Sequence, residues 1–580
     1  MDRLQALAAF ATSRPFAAVF RLQLLGLLAI LLYVLYRVFL LPALSSLRPV
    51  PGPKPAHLIW GNMEEVLEAE PGKMHQAWMD EHGGAVRYRY LFGENRLLLT
   101  DPAALNHLLN VKCYDFGKPE GMRADIHMLL GGGIAHTEGE AHRRQRRLMA
   151  PAFTPTALKA LLPIFYDVAH QLRGIWQKRV ANGAVEISAW PSKAAALAHA
   201  EKGVKGMAVI EVADGVTRLA LDSIGKAGFN YDFDNLEMQT KPLAQAFGTL
   251  FSPPMPTGKG HPSAILLSRA ALYVVRFLWR NNILRYLSPA GETAIRTLAE
   301  ESRQVIDAKI LKVDEEGTVK RDLISIFHSH RTQDAMTPEE LRATLLTFVF
   351  AGHDTGAASL SWILWELSRH PEKQDRLREE IRTARREALN EGREELEADE
   401  LNALPYLDAV VREILRLEPV NIAIPRIALH DDLLPLSTPI PSATEPGKFL
   451  SHVPVKKGQL IEIGIFAANR NKAVFGEDVD EFRPERWLDD DNKIESKVGV
   501  WSGLMSFVHG PRACIGYKFA IYELKAVISV LIDDFDFRPR DPDMQIVHRH
   551  QMVVKPLVVG EKHLGPRMPL QVRMAKREEE

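Results

Sequence analysis

A cysteine framed by glycines, an arginine and an aromatic residue is the most pointed chemical feature of the chain. The run Phe507-Val-His-Gly-Pro-Arg-Ala-Cys-Ile-Gly516 fits Phe-x-x-Gly-x-Arg-x-Cys-x-Gly. Gly510 and Gly516 let the backbone turn closely around a metal ligand, and Arg512 can neutralise a carboxylate. Cys514 precedes a helical segment that the pattern starts near Tyr517. A helix N-terminus and nearby amides stabilise a thiolate, and a thiolate axial to haem iron favours O–O cleavage. A cysteine without this frame would more simply be a buried, inert side chain.

Other polar groups stand where apolar ones would be expected. Ala351-Gly-His-Asp-Thr355 interrupts a long apolar helical pattern from Leu341 to Leu367. Taken alone, Asp354 and Thr355 are a bend or a satisfied polar pair. Gly139-Glu-Ala-His-Arg-Arg-Gln-Arg-Arg147 reads by itself as a solvated basic face. His142 and Arg146, four apart, share one side of such a helix and can meet one anion. Glu413-Ile-Leu-Arg416 is weak in isolation, because Glu-x-x-Arg recurs at Glu120, Glu140, Glu300, Glu339, Glu366 and Glu379. Its order relative to Phe482-Arg-Pro-Glu-Arg-Trp487 and to Cys514 gives it weight.

The elements that must position these groups are mostly helices. Helical periodicity covers Leu158 to Arg179, Ala294 to Leu311, Pro338 to His370, Pro371 to Leu389 and Tyr406 to Leu417. Strand-like runs are short: Val86 to Tyr90, Arg96 to Thr100, Gln459 to Ile465 and Met552 to Val559. A mainly α protein with a small β region follows. The Gly131-Gly-Gly133 cluster reads as a loop entering the basic helix, since His136 breaks a phosphate-binding pattern.

Apolar residues make up 46% and charged residues 25% of the chain, which suits a large buried core. A net charge of -1 gives no basic field for nucleic acid. The two cysteines are too few for a disulfide framework or a cysteine-rich zinc site. Leu22 to Tyr36 is uncharged between Arg21 and Arg37, with apolar flanks from Phe16 to Phe20 and Val38 to Leu44. Fifteen helical residues span roughly 22 Å, and snorkelling arginines extend that toward the ~30 Å of a bilayer core. The expected layout is a short segment 1–15, a single transmembrane anchor 16–44, a proline-rich linker 45–56 forming a stiff spacer, and one catalytic domain 57–580. Flanking charges at Arg3, Arg14, Arg48 and Lys54 are too balanced to set orientation.

The Cys514 frame, the Glu413 and Arg486 segments, the basic run and the acid–alcohol pair together resemble the cytochrome P-450 family, in its eukaryotic, membrane-bound, fungal-type form. The resemblance covers nearly all of the chain after the anchor. It implies the cytochrome P-450 fold and haem b ligated by Cys514, with Phe507 beside the cofactor. It also implies that His142, standing where most members have Trp, with Arg146, Arg426 and Arg512, meets the haem propionates. Ala351 and Gly352 make room over the iron, Asp354 and Thr355 relay protons, and Glu413, Arg416 and Arg486 form a structural charge cluster.

The implied reaction is a hydroxylation or epoxidation of a lipophilic substrate with dioxygen. Electrons come from NADPH through a cytochrome reductase, with cytochrome b5 as an alternative donor, at the cytoplasmic face of the endoplasmic reticulum. Arg143, Arg144, Arg147 and Lys518 offer a basic docking face. By resemblance the pocket is lined from 116–134, 244–275, the helix before Thr355, 420–424 and the turn near His550. A peroxide isomerase or dehydratase would usually lack Thr355, and a haem sensor would have little use for Asp354 and Thr355. Residues 191–214 read as extra sequence.

Overall fold

The computed structural model of the chain describes residues 23–26, 28, 29, 32–184, 206–237, 241–243, 245, 296–305, 307, 336–489, 498–550 and 553–576. Its body is helical: α1 (Gly139–Met149), α2 (Leu162–Asn182), α3 (Val212–Phe229), α4 (Pro338–Arg369), α5 (Pro371–Asn390), α6 (Pro405–Leu417) and α7 (Tyr517–Asp534). The longest, α4, has 32 residues and runs about 48 Å. It starts at a capping box: Glu340 N–H donates to Thr337 Oγ1 (3.2 Å), and Thr337 N–H donates to the Glu340 carboxylate (3.0 Å). Pro338 follows, where no amide hydrogen is needed. The helix stops at His370, whose backbone leaves the helical region (φ -122°, ψ 75°), as the following Pro371 disfavours an α conformation there. Both α4 and α7 are buried on nearly every side, so they form the centre of the core rather than a surface.

Twelve strands occur among the described residues: β1 (Ala85–Arg89), β2 (Asn95–Leu99), β3 (Phe116–Gly117), β4 (Met207–Glu211), β5 (Ala423–Ala428), β6 (Asp432–Pro441), β7 (Phe449–Val455), β8 (Leu460–Gly464), β9 (Phe535–Pro539), β10 (Ile546–His550), β11 (Val554–Val558) and β12 (Pro569–Met574). The largest sheet has the order β1-β2-β8-β5-β3, with β2 and β8 parallel and Leu97 opposite Ile461. A second sheet has the order β4-β12-β9, and β6–β7 and β10–β11 are hairpins. The mainly α architecture with a small β part is thus as the sequence predicts. The four expected strands are present to within two residues at each end.

Two sequence expectations need revision. The supposed extra segment 191–214 is not extraneous throughout. Residues 191–205 lie outside the described residues, but Met207–Glu211 is β4, paired antiparallel with the C-terminal β12, and Val212 opens α3. The proline-rich stretch is also not a free-standing spacer. Leu47 and Val50 are fully buried in the core beneath the large sheet, and Arg87 N–H donates to Pro51 O at 2.8 Å. Residues 16–22, 27, 30 and 31 of the expected anchor lie outside the described residues. Among the described residues no single helix is long and apolar enough to cross a membrane; Leu32–Ala43 is a shorter apolar helix. It touches the domain through buried Val38 and Pro42, and leaves Leu32, Tyr33, Phe39 and Leu40 exposed.

The β10–β11 hairpin is fastened to α4 and to the end of α6. His548 stacks on Trp362 of α4 (ring centroids 4.6 Å) and pairs with Glu418 and with Glu70 (3.3 Å). Burial alone would push this imidazole down, but the Glu418 charge and the hydrogen bonds carry it up to about 9. The folded chain therefore holds a proton that the unfolded chain, titrating near 6.5, has released. Its contribution, up to ~3 kcal/mol, is complete below pH 6.5 and lost as pH rises to about 9. Calorimetry should show Tm falling across that window, and His548→Gln should lower Tm at pH 6 while removing most of the slope.

Candidate functional site

The cysteine loop is shaped by its glycines and its one strained residue. Gly510 has φ +71°, and a Cβ there would lie 2.2 Å from Leu109 O, so no larger residue fits this approach. Val508 also has positive φ (+62°), an uncommon state for a β-branched residue, and Val500 N–H holds its carbonyl at 3.1 Å. Cys514 N–H donates to Phe507 O (2.9 Å), closing the loop just before α7. Phe507 is buried between Trp501 and Tyr517, with ring centroids 6.2 and 6.0 Å away.

Cys514 is exposed although protein surrounds the loop. Burial pushes its thiol up, opposed by the Gly516 amide and the Arg146 charge. A bound metal cation would reverse that balance and deprotonate it. Cys113, by contrast, is buried.

Around this loop gathers more positive charge than the described side chains neutralise. Lys118, Arg426 and Arg512 share one carboxylate, Glu138, which takes Arg512 and Lys118 (3.3 Å), and Arg146 adds a fourth positive charge beside His142. Arg512 also donates to Phe116 O (3.3 Å), while its Nε is buried with no hydrogen-bond partner among the described residues. Arg426, on β5, is buried and donates to its neighbour Pro425 O (2.9 Å); burial pushes it down to about 10. Arg146 donates to Ala513 O and so steadies the cysteine loop itself.

His142 is buried, its Nδ1 3.1 Å from Tyr114 Oη, and burial with the adjacent Lys118, Arg512 and Arg146 pushes it down to about 4. It is therefore neutral at physiological pH. With Tyr114 donating to Nδ1, Nε2–H is a donor for an anion. A dicarboxylate such as haem fits this set: its two negative charges would offset the cationic excess and take up the orphaned guanidinium donor. Lys118 is absent from the sequence-predicted set. A lone lysine in a loop carries no motif, and only the fold brings it beside Arg512.

On α4 the structure separates two neighbouring residues. Ala351 is exposed in the middle of a buried helix, as expected for a residue bordering an internal space. Gly352, expected to share that role, instead faces α3: a Cβ there would lie 2.8 Å from Ile224 Cγ1. Its smallness admits the neighbouring helix. Thr355 Oγ1 donates to Ala351 O (2.7 Å), and Asp354 is buried against Lys555 of β11, Oδ1 to Nζ 2.7 Å.

Glu523 of α7 is a further acid that the sequence reading passed over. It is fully buried, stands close to Gly356 beside Thr355, and burial pushes it up to about 8, which favours its protonated form. An acid inside the apolar run Ile521 to Leu524 was the available signal.

The expected charge cluster is assembled as a unit. Glu413 accepts from Arg416 Nε and Nη2 (3.0 and 2.8 Å), Arg483 N–H (3.1 Å), Arg486 Nε (3.3 Å) and Trp487 Nε1 (2.9 Å). Arg416 further donates to Val479 O (2.7 Å) and Asn469 O (3.3 Å). Of the expected docking face, Arg144 is bound to Glu340 of α4 and Arg143 to Glu140, while Lys518 lies 5.7 Å from the Tyr517 ring centroid. Apart from Gln245, the 244–275 stretch expected to line the pocket lies outside the described residues.

The family model described as cytochrome P-450 matches residues 51–559. Cytochrome P-450 monooxygenase 205 of Postia placenta is 33% identical over 547 residues, covering 92% of this chain and 93% of that protein. Monooxygenase 128 of the same fungus is 34% identical over 560 residues, covering 94% and 96%. Cytochrome P-450 monooxygenase claW of Ampulloclitocybe clavipes is 31% identical over 543 residues, covering 91% and 93%.

Proposed function

The chain belongs to the cytochrome P-450 family and is a monooxygenase-class oxidoreductase, and from that premise we propose that it hydroxylates or epoxidises a lipophilic small molecule of fungal secondary or xenobiotic metabolism. The carrying observation is the exposed Cys514 beside an under-neutralised set of cations. Haem b, when bound, supplies dioxygen activation, and the thiolate favours O–O cleavage.

The chain's own residues do the rest. Cys514 ligates the iron; Lys118, His142, Arg146, Arg426 and Arg512 bind and orient the propionates. The apolar packing around α4 and α3 excludes bulk water from the site. Thr355 Oγ1, donating to Ala351 O, keeps lone pairs free to accept a hydrogen bond, and Asp354 holds or passes a proton at its carboxylate.

Electrons come from NADPH through a cytochrome reductase, with cytochrome b5 as an alternative donor. Arg143 and Lys518 are the better probes of the docking face, because reversing Arg144 would break its tie to α4. Residues 16–44 anchor the protein in the endoplasmic reticulum membrane with the catalytic domain toward the cytoplasm. The uncharged run from Leu22 to Tyr36 with its apolar flanks, and the exposed Leu24, Leu25, Leu28 and Leu32, support this reading.

The test is turnover with reductase, NADPH and ¹⁸O₂ across a panel of lipophilic compounds. One labelled oxygen per product is expected. Thr355→Ala should keep haem content and the reduced carbonyl spectrum, while product per NADPH falls roughly tenfold, a part of the ~10²–10⁴ that general acid–base groups contribute. Product formed from a peroxide substrate without NADPH, and unaffected by Thr355→Ala, would overturn the reading in favour of an isomerase.

A further inference from the structure

The acid of the acid–alcohol pair is held by a lysine some 200 residues away in sequence. Lys555 Nζ lies 2.7 Å from Asp354 Oδ1, and both side chains are largely buried. The second carboxylate oxygen, Oδ2, is buried with no hydrogen-bond partner among the described residues. Lys555 belongs to β11, whose neighbour β10 fixes it in register opposite Arg549. The hairpin is itself pinned on either side of the pair. Val554 N–H donates to Val420 O (2.8 Å), and His548 stacks on Trp362, two turns along α4 from Asp354. Asp354 and Trp362 are eight residues apart and so lie on the same side of the helix. The hairpin thus grips α4 at two points, one of them the proposed proton-carrying acid.

We propose that Lys555 is a positioning residue for proton delivery, anchoring Asp354 through Oδ1 so that Oδ2 is the atom that carries the proton. This rests on the monooxygenase reading above. A buried carboxylate without a counter-charge is strongly disfavoured, and a lysine on a rigid hairpin supplies both charge and direction. It also makes the hairpin a mechanical partner of the relay: a shift of β11 moves the carboxylate directly.

The test compares Lys555→Met, Lys555→Arg, Asp354→Asn and the Lys555→Met/Asp354→Asn double variant as haem-loaded proteins with saturating reductase. Lys555→Met should keep haem content and the carbonyl spectrum, change the solvent isotope effect on product formation, and lower product per NADPH roughly tenfold, within the range of general acid–base catalysis. Lys555→Arg should restore most of it. The double variant should be no worse than Asp354→Asn within about twofold, because residues acting through one another are non-additive.

Multiplicative losses, or an unchanged isotope effect in Lys555→Met, would overturn the proposal. Amide hydrogen exchange of residues 546–558 gives a readout independent of turnover. It should quicken in both Lys555→Met and Asp354→Asn and stay slow in Lys555→Arg, and unaltered exchange would equally overturn it. Absence of NADPH-dependent product from the parent protein would instead count against the monooxygenase reading.

Discussion

Cys514→Ser is expected to yield a folded protein that lacks the carbonyl spectrum of thiolate-bound haem and forms no measurable product. The serine hydroxyl is nearly isosteric but does not ionise in this setting, so the iron loses its anionic ligand. Changing even the outer-shell partners of a metal site costs about 10–100-fold, and removal of the axial ligand should exceed that. Folding should survive, because the loop is held by Cys514 N–H to Phe507 O, by Val500 N–H to Val508 O and by Gly510 against Leu109, none of which involves the sulfur. Cys113 cannot substitute, since it is buried, and Cys113→Ala should retain the thiolate spectrum. Difference spectroscopy of the reduced carbonyl complex, with haem quantified separately, makes the comparison. A thiolate spectrum in Cys514→Ser would remove the assignment.

Glu413→Gln should be the most damaging substitution away from the cofactor. Five donors converge on this carboxylate, two from Arg416 on its own helix and three from residues 483–487, and Arg416 is fully buried beside it. An amide keeps the volume but removes the charge and turns one acceptor into a donor, facing guanidinium groups that have only donors. Breaking a buried pair from one side costs ~3–5 kcal/mol, a large part of the ~5–15 kcal/mol that holds a typical domain folded. Denaturant midpoints should fall accordingly, and haem should be lost on purification. The damage should spread to the cysteine loop: Asn469, whose carbonyl takes Arg416, also binds Met505 N–H and the Ser506 hydroxyl. A Glu413→Gln protein of parental stability with full haem would show the cluster to be dispensable.

The legible parts of this protein were those whose physics is local. The helical period of α4 and α5, the proline at each of their starts and the cysteine loop all lie within short windows of sequence. The strands β4, β9 and β12 were missed because each is defined by a partner elsewhere: Met207–Glu211 is a strand because Pro569–Met574 lies alongside it. The same limit hid Lys118 and Lys555, ordinary lysines until the fold places them beside Arg512 and Asp354. The neighbour that requires Gly352 was hidden for a related reason. A missing side chain signals close approach, but the sequence does not say by what, and here it is Ile224.

The parallel pairing of β2 with β8 has a consequence for how the chain is made. Leu97 waits for Ile461, about 360 residues downstream, which at ~5–20 residues per second is roughly 20–70 s of ribosome time. Until then the β1–β2 hairpin can form, yet the free edge of β2, Asn-Arg-Leu-Leu-Leu, has no neighbour. An apolar strand edge left bare is a template for pairing with other nascent chains. The interval between these two strands is therefore the period in which that edge is open to wrong partners during synthesis, a hazard set by where the two strands lie in the sequence rather than by the stability of the finished fold.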